Sequence, residues 1–349
     1  MKKPNFDKLA TEAQGFEADL AKKRLESQVS ELKGKLNRAL IQHDELSHAF
    51  AEVSQIDLSK HQAEKITCRP GVGVGSQSVG IVLCSDWHVM EAVDPDTVNG
   101  KNRFNPEVCR ARVGALTAKI HLMLKIHRVA TKIDDLVLAL MGDFINNMIH
   151  DDAKESNHGS PTEEVEFAYG LIRAVIDSLL EDKLLKRITV PCVVGNHGRD
   201  TMKPRASTAW KRSYEWLIYS FLASHYAGEK RIHFVLSKSA HVVQEVYGRK
   251  IRFHHGDMIR YGGGVGGLTV PANKAINEWN KSEHVWMDCF GHYHRFFFGG
   301  NFVANGSLVG FNAYALQIKA SAEPPQQVFF LVEKDHGLTG IHPLYLEKA

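Results

Sequence analysis

Val79-Gly80-Ile81-Val82-Leu83-Cys84-Ser85-Asp86-Trp87-His88 is the stretch on which the fold turns. Its opening residues are apolar or small, as in a strand buried on both faces, and polar groups follow at once. Asp86 and His88 alternate with Trp87, so an extended backbone sets carboxylate and imidazole on one side and the indole on the other. The same order recurs downstream. Leu136 to Met141 runs into Gly142-Asp143, Ile188 to Val194 into Gly195-Asn196-His197, Lys250 onward into His255-Gly256, and Val285 to Phe290 into Gly291-His292-Tyr293-His294. Strands that deliver such side chains at their C-terminal tips gather hard and borderline metal ligands on one rim of a sheet. The pattern predicts a site for two metal ions.

Around these strands the sequence predicts an α/β domain. Further strand-like runs are Asn301 to Ala304 and Gln327 to Val332, and helical periodicity marks Pro106 to Val129, Thr162 to Leu180 and Thr208 to Tyr226. Early β-α-β-α-β order predicts parallel pairing with helices outside, and the closely spaced later strands predict a second, more antiparallel sheet. Upstream, Leu25, Val29, Leu32, Leu36, Ala39, His43, Leu46, Phe50 and Val53 keep a three-four spacing over about four heptads, interrupted by Gly34 and by His43 on the seam. This stretch reads as a coiled-coil seam or as one amphipathic helix folded back on the main domain. The predicted organisation is a helical extension over 1–65, a glycine-rich linker over 66–78 and the metal-binding domain over 79–349.

Among 349 residues, 44% are hydrophobic and 24% charged, enough to bury a substantial core, and the net charge of +3 is only a faint pointer to anionic partners. No apolar run approaches the roughly 20 residues of a membrane helix, and the N-terminus lacks a signal-peptide core; a cytoplasmic protein is the expectation. The five cysteines (Cys68, Cys84, Cys109, Cys192, Cys289) form no C-x-x-C pair and predict neither a disulfide framework nor a zinc ribbon.

With these motifs in view the chain resembles the calcineurin-like metallophosphoesterases, from about Val79 to Val332. That family's signatures look like Asp-x-His, Gly-Asp-x-x-Asp/Asn, Gly-Asn-His-Asp/Glu, His-Gly and Gly-His-x-His. Asn196-His197-Gly198-Arg199, His255 to Arg260 and Asn305-Gly306-Ser307-Leu308 are similar to a phage-encoded branch likened to the SbcD type of DNA exonuclease. The resemblance implies a two-sheet β-sandwich flanked by helices (αββα). It implies one metal on Asp86, His88 and His294, a second on Asn196, His255 and His292, and Asp143 bridging them. Manganese is the first choice of ion, with iron, zinc or nickel as alternatives. His254 competes with His255, which is preferred because it directly precedes Gly256. The implied reaction is phosphodiester hydrolysis by a hydroxide bridging the metals, with His197 as general acid. Gly198 departs from the family, which commonly places an acid beside the catalytic histidine. His197 then needs another partner, Asp200 or a carbonyl.

The resemblance puts Asn146 at the Asp/Asn position of the second signature, orienting ligands or touching substrate, and Arg260 is a further expected contact. Arg199 and Arg205 lie in a cationic run beyond His197 that adds Lys203, Lys211 and Arg212 and reads as a phosphate-binding surface or as a solvated helix start. Trp210 and Trp216 read as core residues or as platforms for bases, Tyr261 to Gly267 as a gating loop or a plain connection, and Ser307 as a turn hydroxyl. A DNA nuclease in the cytoplasm, that of a bacterial host if the chain is phage-encoded, is the first functional expectation. A small-molecule or phosphoprotein phosphatase or phosphodiesterase is the second, and a coiled-coil scaffold with a vestigial metal site the third. Expected partners are DNA, a second copy through the N-terminal helix, and a separate ATPase or other subunit, since no ATP-binding motif occurs; no membrane partner is expected.

Overall fold

In the computed structural model, residues 6–54, 76–149, 151–260, 267–317 and 320–347 are described. Cys68, His150, most of the expected linker and Tyr261 to Gly266 of the expected gating loop lie outside them. The chain divides into two units, Met1–Pro70 and Gly71–Ala349.

The described residues of the first unit form one helix, α1 (Phe6–Ser54), which runs unbroken through Gly34. Every residue from Asp19 to His48 is exposed, the seam leucines included.

In the second unit the strands and helices, in chain order, are β1 (Gln77–Cys84), α2 (Pro106–His127), β2 (Lys132–Leu140), α3 (Asp151–Ser156), α4 (Pro161–Glu181), β3 (Arg187–Cys192), α5 (Tyr214–His225), β4 (Ile232–Leu236), β5 (His241–Val246), β6 (Arg249–His254), α6 (Thr269–Asn280), β7 (Met287–Phe290), β8 (Phe297–Phe298), β9 (Phe302–Ala304), α7 (Ala313–Gln317), β10 (Gln326–Glu333) and β11 (Gly337–Tyr345). They build a six-stranded sheet ordered β11-β10-β1-β2-β3-β4 and a five-stranded sheet ordered β5-β6-β7-β9-β8.

Alternation of side chains across the strands explains the layering. Ile81, Leu83, Val137, Ala139 and Phe330 of the first sheet pack with Ile251, Phe253, Met287 and Cys289 of the second. The opposite face of the first sheet, with Val82, Leu136, Leu138 and Val190, meets Leu116 and Ile120 of α2, Ile172 and Val175 of α4, and Ile218 and Leu222 of α5. Phe290, Phe302 and Ala304 on the outer face of the second sheet meet Ala272 and Ile276 of α6. The order is helices, sheet, sheet, helix, as the resemblance implied.

The second sheet is mixed, with β6-β7 and β7-β9 parallel and β5-β6 and β8-β9 antiparallel. Two readings need correction. The late strand β10 belongs to the first sheet, antiparallel to β1, because its residues are buried on both faces and fill the edge that β2 leaves open. The helix expected over Thr208 to Tyr226 starts at Tyr214. Ser213, with an extended backbone, bridges to Arg199, and Tyr214 donates its N–H to the Gly198 carbonyl, which ends the preceding 3-10 turn.

Arg112 ties this frame to the rim where the motifs meet. Its side chain is 1% exposed and donates to the Leu308 and Val309 carbonyls at 2.8 and 2.6 Å, to Asn102 Oδ1 at 2.7 Å and to Glu347. Leu308 in turn donates its N–H to the Asp86 carbonyl at 3.0 Å. Arg112→Ala strands several buried acceptors and should lower the unfolding free energy by about 3–5 kcal/mol in urea titrations; a loss under about 1 kcal/mol would show the network to be dispensable.

Candidate metal centre

The motif residues converge at the C-terminal ends of β1, β2, β3, β6 and β7, and their backbone is unusual. Asp86, His88, Asp143, His292 and His294 all have positive φ, between 44° and 70°. Such conformations cost on the order of 1–3 kcal/mol each and persist only where the surroundings enforce them. Here the first two loops enforce each other: Asp86 N–H bonds to the Gly142 carbonyl at 3.0 Å, and Trp87 and His88 N–H both bond to that of Asp143, at 2.8 and 3.1 Å. Glycine is required where loops touch. A Cβ at Gly142 would overlap the Gly195 backbone, one at Gly195 the Asp143 carboxylate, and one at Gly291 the Asp86 carboxylate.

Two donor groups result, Asp86 with His88 and His294, and Asp143 with His255 and His292, the ligand atoms of each within 4.8 Å of one another. In the first, His88 Nε2 and His294 Nε2 stand 3.2 Å apart, and Asp86 Oδ1 lies 3.4 Å from His294 Nε2. Asp86 is oriented by Ser85 Oγ at 2.5 Å and by the His292 N–H, 3.0 Å from either oxygen. In the second, His255 Nδ1 donates to the Met141 carbonyl at 2.9 Å, so Nε2 is the atom turned inward. It faces Asp143 Oδ2 at 3.0 Å and Asn196 Oδ1 at 2.9 Å.

On a neutral ring those three atoms present lone pairs to one another, which is repulsive unless positive charge lies between them. Burial pushes His255 downward, yet the Asp143 carboxylate overrides this and holds the imidazole well above its ordinary range. Burial likewise works to raise Asp143, while His255 and His197 hold it well below the usual carboxylate range. Mixed imidazole, carboxylate and carboxamide donors, oriented by backbone bonds, fit a divalent cation.

All the expected ligands are therefore gathered here. His254 points elsewhere, 3.5 Å from Asp288 and against Trp279. His197 packs edge-on to His88, ring centroids 4.6 Å apart. Its Nδ1 donates to the Asn146 carbonyl at 2.8 Å, so the partner is a carbonyl and not Asp200, whose carboxylate pairs with Arg212 at 2.9 Å. Asn146 is buried and serves through its main chain, its side chain bonding to Asn157. The Arg199 guanidinium donates to the carbonyls of Asn196, Thr201 and Met202 and braces its own loop. Arg205 and Arg260 are exposed. Trp210 and Trp216 pack on each other at 4.9 Å, with Lys238 over the Trp210 ring at 4.7 Å. Ser307 Oγ accepts the Gly310 N–H, a turn hydroxyl. Cys84, Cys109, Cys192 and Cys289 are buried free thiols whose pKa burial raises.

Sequence reasoning missed two buried glutamates. Glu164, in the first turn of α4, accepts the Asn146 N–H at 2.5 Å, the Asn147 N–H at 3.0 Å and Asn157 Nδ2 at 2.5 Å. Its neighbour Glu163 completes a capping box with Ser160, which hides Glu164 in a familiar helix start. Glu215 accepts the Phe144 and Gly195 N–H groups at 2.7 and 2.6 Å. Its sequence signal was a lone charge on the apolar stripe of Ile218, Tyr219 and Leu222.

No family model and no curated protein matches the chain. Solved structures give distant likenesses. Vps29 of Entamoeba histolytica, crystallised with zinc, is 13% identical over 76% of this chain and 99% of its own, with a TM-score of 0.30. A hypothetical protein of Pyrococcus horikoshii is 13% identical over 77% of this chain and 89% of its own, at 0.38. A predicted phosphoesterase of Streptococcus pneumoniae is 12% identical over 77% and 98%, at 0.28. At this distance a likeness assigns neither activity nor ligand. Among the described residues no helix is long and apolar enough to cross a membrane.

Two outcomes follow from this geometry. Gly195→Ala should push the Asp143 carboxylate aside and weaken manganese binding at least tenfold by calorimetry, with the fold retained by circular dichroism; unchanged affinity would refute the close fit. Burial pushes Glu164 from the ordinary 4.5 up to about 7, against its three N–H donors. A carboxyl raised in the folded state stabilises fully below its unfolded pKa, and that contribution is lost as pH rises through 7. Denaturation at pH 5 and pH 8 should thus show wild type losing more stability with pH than Glu164→Gln; equal losses would contradict the assignment.

Proposed function

We propose that the chain is a metal-dependent phosphoesterase that cleaves phosphodiester bonds, with DNA as substrate, at a centre of two divalent ions. The observation that carries this reading is the pair of ligand clusters, joined by Asn196 and drawn from five strand ends, with the His197 imidazole beside them.

In this reading Asp86, His88 and His294 would hold one ion and Asn196, His255 and His292 the other, with Asp143 available to both. The donor set suits manganese, and iron, zinc or nickel as well. Ions bound there would supply Lewis acidity toward a phosphoryl oxygen and toward water.

The chain's own residues do the rest. Donation from His197 Nδ1 to the Asn146 carbonyl leaves Nε2 as the atom turned to the substrate side, from which a proton would pass to the departing oxygen. Glu164 accepts the Asn147 N–H at 3.0 Å, which lies in the same peptide plane as the Asn146 carbonyl, so the group that orients His197 is itself fixed. Asn147 Nδ2 ties the same loop to the His197 and Arg199 carbonyls at 2.8 and 2.6 Å. Exposed Lys203, Arg205 and Arg260 supply sequence-independent attraction for backbone phosphates.

A second reading, a small phosphoester as substrate, is favoured by one observation: Arg199 and Arg212 are engaged within their own loop, which thins the cationic run.

Manganese-loaded protein should hydrolyse single- or double-stranded DNA faster than bis-p-nitrophenyl phosphate or phosphomonoesters. His197→Ala should lower kcat by about 10²–10⁴ with metal content intact, and Asp143→Ala should lose both metal and turnover. Hydrolysis confined to small esters would select the second reading. No hydrolysis of any phosphoester by fully loaded protein would sink both.

A further inference from the structure

We infer that Glu215 is a positioning residue for the metal centre: from the first turn of α5 its carboxylate pins together the loops that carry Asp143 and Asn196, in the space that glycine leaves at position 198. The inference rests on the proposed reading of the centre as a metal site.

Each carboxylate oxygen takes one backbone N–H. Oε1 accepts from Phe144, the residue after Asp143, at 2.7 Å, and Oε2 from Gly195, the residue before Asn196, at 2.6 Å. One side chain therefore spans the two loops whose proposed ligands face the same His255 nitrogen. Gly198 makes the room. A Cβ there would stand 2.7 Å from Glu215 Cγ and 2.8 Å from Cδ and Oε2, so a larger residue at 198 and a glutamate at 215 exclude each other. An acid in the motif loop and an acid from α5 are alternative ways to fill one volume.

The helix is docked for the task. Tyr214 N–H bonds to the Gly198 carbonyl at 2.8 Å, Asp200 N–H to that of Arg212 at 2.9 Å, and Tyr219 Oη to that of Val193 at 3.0 Å. Glu215 is fully buried, and among the described residues no lysine or arginine pairs with it. A carboxylate withdrawn from water without a cationic partner is costly. Both of its hydrogen bonds go to the centre's loops, so ordering those loops is the return on that cost.

Four variants separate positioning from packing. Glu215→Ala should weaken manganese binding to the metal-free protein at least tenfold by calorimetry and speed hydrogen exchange at the 144 and 195 amides. Glu215→Met keeps the volume without acceptors and should fail as badly. Glu215→Gln keeps one acceptor but turns a donor toward the other N–H, and should fall between. In Glu215→Ala/Gly198→Asp the carboxylate is moved to the other wall of the same space. Affinity should return to within about threefold of wild type, with exchange slowed again.

Wild-type affinity in Glu215→Met would reduce the residue to filler and overturn the proposal, and so would a double variant as weak as Glu215→Ala. If Glu215→Ala fails to fold, the Gln and Met variants decide by the same readings. Wild-type protein that binds manganese but hydrolyses no phosphoester overturns the phosphoesterase reading alone, and Glu215 is still judged by affinity and exchange. If wild type binds no manganese, unchanged exchange in the Met variant overturns the proposal.

Discussion

Titratable and carboxamide groups drawn within about 3 Å of one another are the constraint to which the rest of this structure answers. His88 and His294 set ring nitrogens 3.2 Å apart, and His255 Nε2 faces a carboxylate and a carboxamide oxygen. Such an arrangement holds only where protons or a cation supply positive charge among the donors. It is held because the protein orients each group from behind: Met141 holds His255, Ser85 and the His292 N–H hold Asp86, and the His197 N–H holds Asp143 at 2.7 Å. Preorganisation of this kind moves the cost of assembling a charged site from ligand binding to folding.

That folding cost is visible in the backbone. Left-handed conformations at five proposed ligands set side chains where ordinary strands would not, and interlocking loops keep them there. Compensation comes from the deep double-sheet core and from polar residues that reach the rim from outside the motifs. Arg112 secures the 308–309 turn, Glu164 the Asn146–Asn147 peptide, and Gln327 takes the Ser85 N–H and the Trp87 indole at 3.0 and 3.3 Å. A rigid centre thus depends on a large share of the second unit.

The strand ends bearing Asp86, Asp143, Asn196, His255 and His292 were legible because uninterrupted apolar runs stop abruptly at polar residues, and chance seldom repeats that. Less was legible where burial is one-sided. β11 is a half-exposed edge strand with Pro343 inside it, and β5 buries only Val242 and Val246, so neither stands out in hydropathy. Each pairs with its neighbour through a hairpin, β5 with β6 across Tyr247-Gly248, both with positive φ, and β11 with β10 across residues 334–336. The supporting glutamates escaped for another reason: a side chain that serves main-chain groups of a distant loop leaves no local pattern. His197 lies beside the proposed ligands, and its carbonyl partner could be named only with the Asn146 peptide in view.

The antiparallel seating of β10 against β1 has a temporal implication. Residues 78–83 are among the first of the second unit to leave a ribosome, and their partners at 328–333 are among the last. Until then β1 carries an uncovered edge directly beneath Asp86. Such long-range pairing slows folding and leaves sticky strand edges exposed meanwhile. A nascent chain therefore depends, until its last strands emerge, on whatever shields that edge during synthesis.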